Sequence, residues 1–264
     1  MASLSPGLDS RPEESRGGPP LALLGGVGTR SGRPSSAAAG PVLGLTRGEG
    51  TFGGTWQGEG SRLGTWTMGV RVYGCNLHCD LLKGVGVRPD GWDTAHTWYE
   101  QDYPRQEWAY EASVDQVLAE LERRMQPRLR RGGTGMVFVT GGEPLVQGAA
   151  VGQLLRACRE RGWRTQIETN GTLPPSRLGG PDCWPDDFNV SPKLATGINR
   201  GADPASKRIR PKAIADLLAT GRAVWKFVAA GVDDLEELAD GVLARGLNLT
   251  TRLHTLIWGA ERGR

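Results

Sequence analysis

From residue 70 onward, short apolar strand-like runs alternate with helical segments, and nearly every unusual motif falls at the end of a strand. The predicted order is strand 70–73, helix 113–124 with Ser113 as N-cap, strand 136–140, helix 149–161, strand 165–167, strand 188–190, helix 211–219, strand 224–228 and helix 233–244. An apolar tail, 253–258, reads as a last strand. The helices are assigned from spacing: Val114, Val117, Leu118 and Leu121 share one face, and Val151, Leu154, Leu155 and Cys158 share another. Strands alternating with helices require right-handed crossovers and a parallel sheet. Ligands of such sheets bind beyond the C-terminal ends of the strands. The expected fold class is therefore α/β.

The chain has 264 residues, enough for one large α/β domain or two small ones. Residues 1–48 are rich in Gly, Pro, Ser and Ala without an apolar period, and read as a disordered extension to a domain covering 49–264. A mean hydropathy of −0.38 suits a soluble protein. No run approaches the roughly 18–20 apolar residues that span a bilayer, so no membrane is expected. The net charge of +3 is scattered and calls for no nucleic-acid groove. No basic-then-apolar leader opens the chain, and four cysteines in this length make no disulfide framework. A reducing cytoplasm is the expected compartment, where a close cysteine pair is more often metal-binding or redox-active than structural.

The cysteine pair lies in Gly74-Cys75-Asn76-Leu77-His78-Cys79, directly after a strand. Iron–sulfur clusters need thiolates converging from a loop, and this run meets that need in part. A zinc site would want two further ligands, which His78 or His96 could supply, and on spacing alone two unliganded thiols fit slightly better. Gly141-Gly142-Glu143-Pro144 ends the next strand. Its glycines let backbone approach a ligand, and its carboxylate suits an ammonium group; a plain Gly-Gly turn is the alternative. Glu168-Thr169-Asn170-Gly171-Thr172 and Ser191-Pro192-Lys193 close two further strands with short polar groups and a cation. Arg71, inside a strand, needs a partner, and its planar guanidinium suits a carboxylate.

Taken jointly with Trp56-Gln57-Gly58-Glu59-Gly60, Asp93-Thr94, Trp225-Lys226-Phe227-Val228 and Arg252-Leu253-His254, these motifs resemble the 7-carboxy-7-deazaguanine synthase family, a branch of the radical S-adenosylmethionine enzymes. The resemblance covers residue 50 to the end and implies a partial parallel (β/α) barrel. It implies reductive cleavage of S-adenosylmethionine at a [4Fe-4S] cluster, hydrogen abstraction from 6-carboxy-5,6,7,8-tetrahydropterin, and ring contraction with loss of ammonia. By the same resemblance Cys75 and Cys79 would ligate the cluster, and Gly142, Glu143, Asp93, Asn170, Ser191, Pro192 and Lys193 would hold S-adenosylmethionine. Trp56, Gln57, Gly58, Arg71, Thr140 and His254 would contact the pterin, and Thr94 would ligate Mg²⁺. A flavodoxin- or ferredoxin-like electron donor and a homodimer are implied as well.

Two departures accompany the resemblance. The family's third cysteine precedes Asp-Thr, and this chain has Trp92 there, after extra residues from Leu81 to Gly91. The stretch between the helix at 233–244 and Arg252 is also short, which leaves the barrel incomplete. The competing expectations are a degenerate member that binds ligand without turnover and a small zinc-binding α/β protein.

Overall fold

Ser113 starts its helix as the sequence predicts. Its hydroxyl accepts the Gln116 N–H at 3.2 Å, and the Gln116 side chain accepts the Ser113 N–H at 2.8 Å, a reciprocal capping box. The computed structural model describes residues 40–48, 50–78, 104–193, 203–227 and 244. All of them belong to one unit that begins at Ala39.

The elements in chain order are β1 (Val42–Thr46), β2 (Thr51–Trp56), β3 (Trp66–Val72), α1 (Arg105–Trp108), β4 (Ala109–Ser113), α2 (Val114–Leu129), β5 (Met136–Gly141), α3 (Gly148–Glu160), β6 (Arg164–Thr169), β7 (Asp187–Val190), α4 (Ala205–Arg208), α5 (Pro211–Ala219) and β8 (Ala223–Trp225). The sheet runs β4-β1-β3-β5-β6-β7-β8, with β2 also paired to β3. From β3 to β8 every neighbour is parallel. The α/β expectation holds, and among the described residues the sheet is open rather than closed.

The antiparallel side was not foreseen. β1, β2 and β4 all pair antiparallel, and β1 falls inside the stretch read from sequence as an extension through residue 48. Leu43 and Leu45 of β1 are fully buried in the core. Gly44 sits between them because Gln147, at the entrance of α3, grips its backbone. Gly44 N donates to Gln147 Oε1 at 2.7 Å, and Gln147 Nε2 donates to Gly44 O at 2.9 Å. A strand of five residues with a central glycine gives no readable period. β8 ends at Trp225, short of the predicted Val228, which lies outside the described residues with nearly all of the predicted helix 233–244, the tail strand 253–258 and residues 1–39.

One face of the parallel sheet is apolar. Val70, Val72, Val137, Val139, Ile167, Phe188 and Val190 join the core with Leu118 and Leu121 of α2, Leu154 and Leu155 of α3, and Leu217 of α5. Each such side chain stabilises by about 1.5–3 kcal/mol on full burial. That outweighs the surface ion pairs of α2, where Arg123 and then Arg124 hold the Glu120 carboxyl down to about 2, because exposed pairs contribute only about 0–1 kcal/mol each.

Candidate functional site

The other face of the same strands is polar. Parallel strands covered on both sides read as continuous apolar runs, but here alternate positions carry Arg71 on β3, Thr140 on β5, Gln166 and Glu168 on β6, and Asp187 and Asn189 on β7. Register sets Arg71 opposite Thr140 and Glu168 opposite Asn189. The Thr140 hydroxyl donates to Glu168 Oε2 at 2.6 Å. Arg71 lays its guanidinium over the Phe52 ring, 4.7 Å from its centroid, and Phe52 in turn lies across the cross-strand gap left by Gly69.

The turn that follows β2 crosses this polar floor as a strap. Gln57 Nε2 donates to Gln166 Oε1, Arg62 pairs with Asp187, and Glu59 pairs with Lys226 at 2.8 Å. Gly60 needs its glycine: φ is +74°, and a Cβ would run into the Asn189 amide. Gln57 and Gly58 are buried, whereas Trp56 is half exposed. Beneath the strap, Gln166 Nε2 and Asn189 Oδ1 are buried without a hydrogen-bond partner. A buried amide left open is costly unless something fills it, so this floor has the chemistry of a ligand-facing surface.

The strand ends meet in a polar rim. The Gly141-Gly142 turn packs against the backbone that leads into the cysteine run: a Cβ on Gly141 would strike Val72, and one on Gly142 would strike the Gly74 carbonyl. Gly142 N donates to Val72 O at 3.2 Å and Glu143 N to Gly74 O at 2.8 Å. The sequence reading gave these glycines a ligand to approach; the structure gives them a neighbouring chain segment. Glu143 differs in the same way. Its carboxylate is fully buried and takes three donors, the Leu145 N–H at 3.0 Å, the Thr169 hydroxyl at 2.9 Å and the Asn170 N–H at 2.7 Å. Burial pushes this carboxyl above the usual range, against the pull of those donors and of the Lys193 charge. Instead of facing an ammonium group, it joins the end of β5 to the end of β6.

Asn170 carries that join to the thiol. Its Nδ2 lies 3.8 Å from Cys75 Sγ and donates to Asn76 Oδ1 at 2.9 Å. Asn76 Nδ2 donates to the Thr172 hydroxyl at 2.8 Å, and that hydroxyl donates back to Asn170 Oδ1 at 2.6 Å. The Leu77 N–H also points to Cys75 Sγ at 3.4 Å. Two N–H groups thus face the sulfur of the part-buried Cys75. Ser191 and Pro192 are buried where β7 ends, and Lys193 Nζ donates to Ser191 Oγ at 3.2 Å.

Of the residues singled out from sequence, Trp56, Gln57, Gly58, Arg71 and Thr140 gather at the strap and floor, and Cys75, Gly142, Glu143, Asn170, Ser191, Pro192 and Lys193 gather at the rim. Cys79, Asp93, Thr94 and His254 lie outside the described residues. Among the described residues, no group of three or more His, Cys, Asp or Glu side chains is placed to hold a metal ion. Sequence reasoning passed over Gln166 and Asn189 and gave Glu168 no role of its own. The polar alternation along strands otherwise made of Val, Ile and Phe was the signal that could have found all three. Among the described residues no helix is long and apolar enough to cross a membrane.

No protein-family model matches the chain. A 7-carboxy-7-deazaguanine synthase of Hyperthermus butylicus is 33% identical over 193 residues, covering 72% of this chain and 68% of that protein. A synthase of the same name from Rhodospirillum rubrum is 35% identical over 149 residues, and there the match spans 55% of this chain and 52% of the relative. The crystal structure of QueE from Escherichia coli is similar at 25% identity and a TM-score of 0.48, covering 80% of this chain and 81% of that one. Sharing a third of its residues with the first relative along more than two thirds of either chain, this chain belongs to the 7-carboxy-7-deazaguanine synthase family.

Proposed function

We propose that this chain converts 6-carboxy-5,6,7,8-tetrahydropterin to 7-carboxy-7-deazaguanine with loss of ammonia, as a radical S-adenosylmethionine enzyme. The observation that carries the reading is the polar floor of the parallel sheet, bridged by the Gln57–Arg62 strap, with Cys75 on the rim where the strands end. Cys75 and Cys79 would hold a [4Fe-4S] cluster, and the donors around Cys75 Sγ support that role. With S-adenosylmethionine bound, such a cluster supplies the electron and the radical that start the reaction.

The rest falls to this chain's own groups. Arg71 offers a guanidinium of the right shape for the substrate carboxylate. The Thr140 hydroxyl orients Glu168, whose second oxygen remains for an N–H on the edge of a heterocycle. Gln57, Gly58 and Trp56 cover the bound ring and exclude water. Gly142, Asn170, Ser191, Pro192 and Lys193 line the rim where S-adenosylmethionine would lie, with Lys193 facing its carboxylate; Glu143 supports that rim from beneath. Asp93 (cofactor), Thr94 (Mg²⁺) and His254 (substrate) retain the roles that the motifs give them. A flavodoxin- or ferredoxin-like donor and a homodimer complete the proposal.

Anaerobic reconstitution with iron and sulfide, followed by mass spectrometry after addition of both substrates and a reductant, tests it. Near-stoichiometric iron and formation of 7-carboxy-7-deazaguanine are expected, and both are lost in Cys75→Ala. Iron uptake unchanged by that substitution would overturn the site. A wild-type protein that binds S-adenosylmethionine yet takes up no iron would overturn the activity, and one bound zinc with no iron would replace it with a zinc protein.

A further inference from the structure

The segment that enters α4 carries a carboxylate that the synthase reading leaves without a task. Asp203 is 3% exposed, and a charge so placed must be matched by donors. Its Oδ2 accepts the backbone N–H of His78 at 2.6 Å, and its Oδ1 accepts Lys207 Nζ at 2.6 Å with His78 Nδ1 3.4 Å away. Lys207 Nζ also sits 3.3 Å from that imidazole nitrogen. The next residue of α4 extends the cluster: the buried Arg208 donates Nε to Asp203 O at 2.9 Å and Nη1 to Lys193 O. His78 stands inside the cysteine run, and Lys193 ends the Ser-Pro-Lys segment after β7. One short stretch therefore grips both loops at the rim, although 125 residues separate Asp203 from His78.

A solvated Lys207–Asp203 pair at helical spacing would contribute little. The bond to His78 N is of another kind: it is charge-assisted, the carboxylate is shielded from water, and the N–H belongs to the backbone of the loop itself. That donor cannot be lost by a side-chain change at His78, so it sets the path of the chain from Cys75 to His78. The opposite end is tied by Asn76 to Thr172 and Asn170.

We propose that Asp203 is the positioning residue of the thiolate loop, clasping it to the entrance of α4 so that the Cys75 sulfur is in place before any metal arrives. The assignment rests on the synthase reading only for what the loop receives. The clasp itself acts in metal-free protein.

The test compares wild type, Asp203→Asn and Asp203→Ala as full-length, metal-free chains. Alkylation of Cys75 by iodoacetamide is followed peptide by peptide by mass spectrometry, with circular dichroism and melting as controls for folding. Asn keeps an oxygen for His78 N and loses the charge; Ala loses both. Cys75 should be alkylated about tenfold faster in the Ala variant and about threefold faster in the Asn variant, as expected when a charge-assisted bond restrains local opening. Iron bound per chain after reconstitution should fall in the same order. Should the Ala variant fail to fold, the difference between Asn and wild type decides. Equal Cys75 rates in wild type and Asn, or an Ala variant that folds and reacts no faster than wild type, would overturn the clasp. Wild-type protein that takes up no iron while the alkylation order stands would sink the synthase reading and leave the clasp intact.

Discussion

The backbone N–H of Glu143 donates to the carbonyl of Gly74 at 2.8 Å, so the turn that ends β5 is laced directly to the loop that presents Cys75. The contact is possible because Gly142, the residue before, has no side chain to strike that carbonyl. Gly142→Ala should destabilise the protein by about 1–3 kcal/mol, the usual range for forcing an atom into filled space. Gly180→Ala is the control, since Gly180 has an ordinary φ of −74° and nothing near its Cβ position. Urea denaturation should separate the two; equal midpoints would show that the turn and the loop are not in contact.

Glu143→Gln tests the carboxylate that joins β5 to β6. A protonated carboxyl can pass its hydrogen to the Thr169 hydroxyl and still accept the Leu145 N–H on the same oxygen, whereas an amide NH2 in that place cannot accept, so the substitution leaves a buried N–H unmatched at about 1–3 kcal/mol. The pH dependence has a definite sign. Burial raises the folded-state pKa above the ordinary 4.5, so the unfolded chain gives up this proton first as pH rises. The stability tied to Glu143 is then fully present below the unfolded value and is lost as pH climbs through the raised folded value. The Tm of wild type minus that of the Gln variant should shrink across that window. A difference that is flat or grows with pH would mean that the carboxylate is not held in a desolvated site.

These glycines and this glutamate show how far the sequence could be read. A strand followed by Gly-Gly-Glu-Pro marked a special place at a sheet end, and that placement holds. What the residues touch could not be read, because the partner, Gly74, lies 69 positions away by the numbering of the bonded pair. Ser113 was legible in full, since a capping box needs only the next three residues. The α2 and α3 faces were legible because their period is local. β1, β2 and β4 were not: Val42–Thr46 and Thr51–Trp56 are broken by glycines, β2 shifts register against β3 between Gly53 and Thr55, and β1 finds its partner β4 far along the chain, with Val42 opposite Ser113. The inner face lay half in view. Arg71 and Thr140 stood out from their neighbours, whereas Gln166 and Asn189 became site residues only when register placed them under the strap.

Asn170→Ala should change the inorganic centre rather than the fold. The substitution removes the Nδ2 donor that faces Cys75 Sγ at 3.8 Å and Asn76 Oδ1 at 2.9 Å. Donors to ligating sulfur stabilise the more negative, reduced state of a cluster. The reconstituted variant should therefore show a more negative reduction potential than wild type in an anaerobic dye titration, while far-UV circular dichroism is unchanged. An unshifted potential would mean that this amide does not reach the sulfur once the cluster is bound.

Arg71→Ala separates the floor from the rim. Arg71 sits beside Thr140 in the β3–β5 register and stacks on Phe52, on the polar face of the sheet rather than among the rim residues at the strand ends. If its guanidinium pairs with the substrate carboxylate, losing a charged hydrogen bond weakens pterin binding by about 10- to 100-fold. S-adenosylmethionine, held by the rim, should bind within about twofold of wild type, because no bond described for the rim passes through Arg71. Equilibrium dialysis of each ligand against the metal-loaded protein reads both numbers. Equal losses for the two ligands would assign Arg71 to holding the sheet end together rather than to the substrate. A loss confined to S-adenosylmethionine would move the cofactor down onto the floor and put the pterin elsewhere.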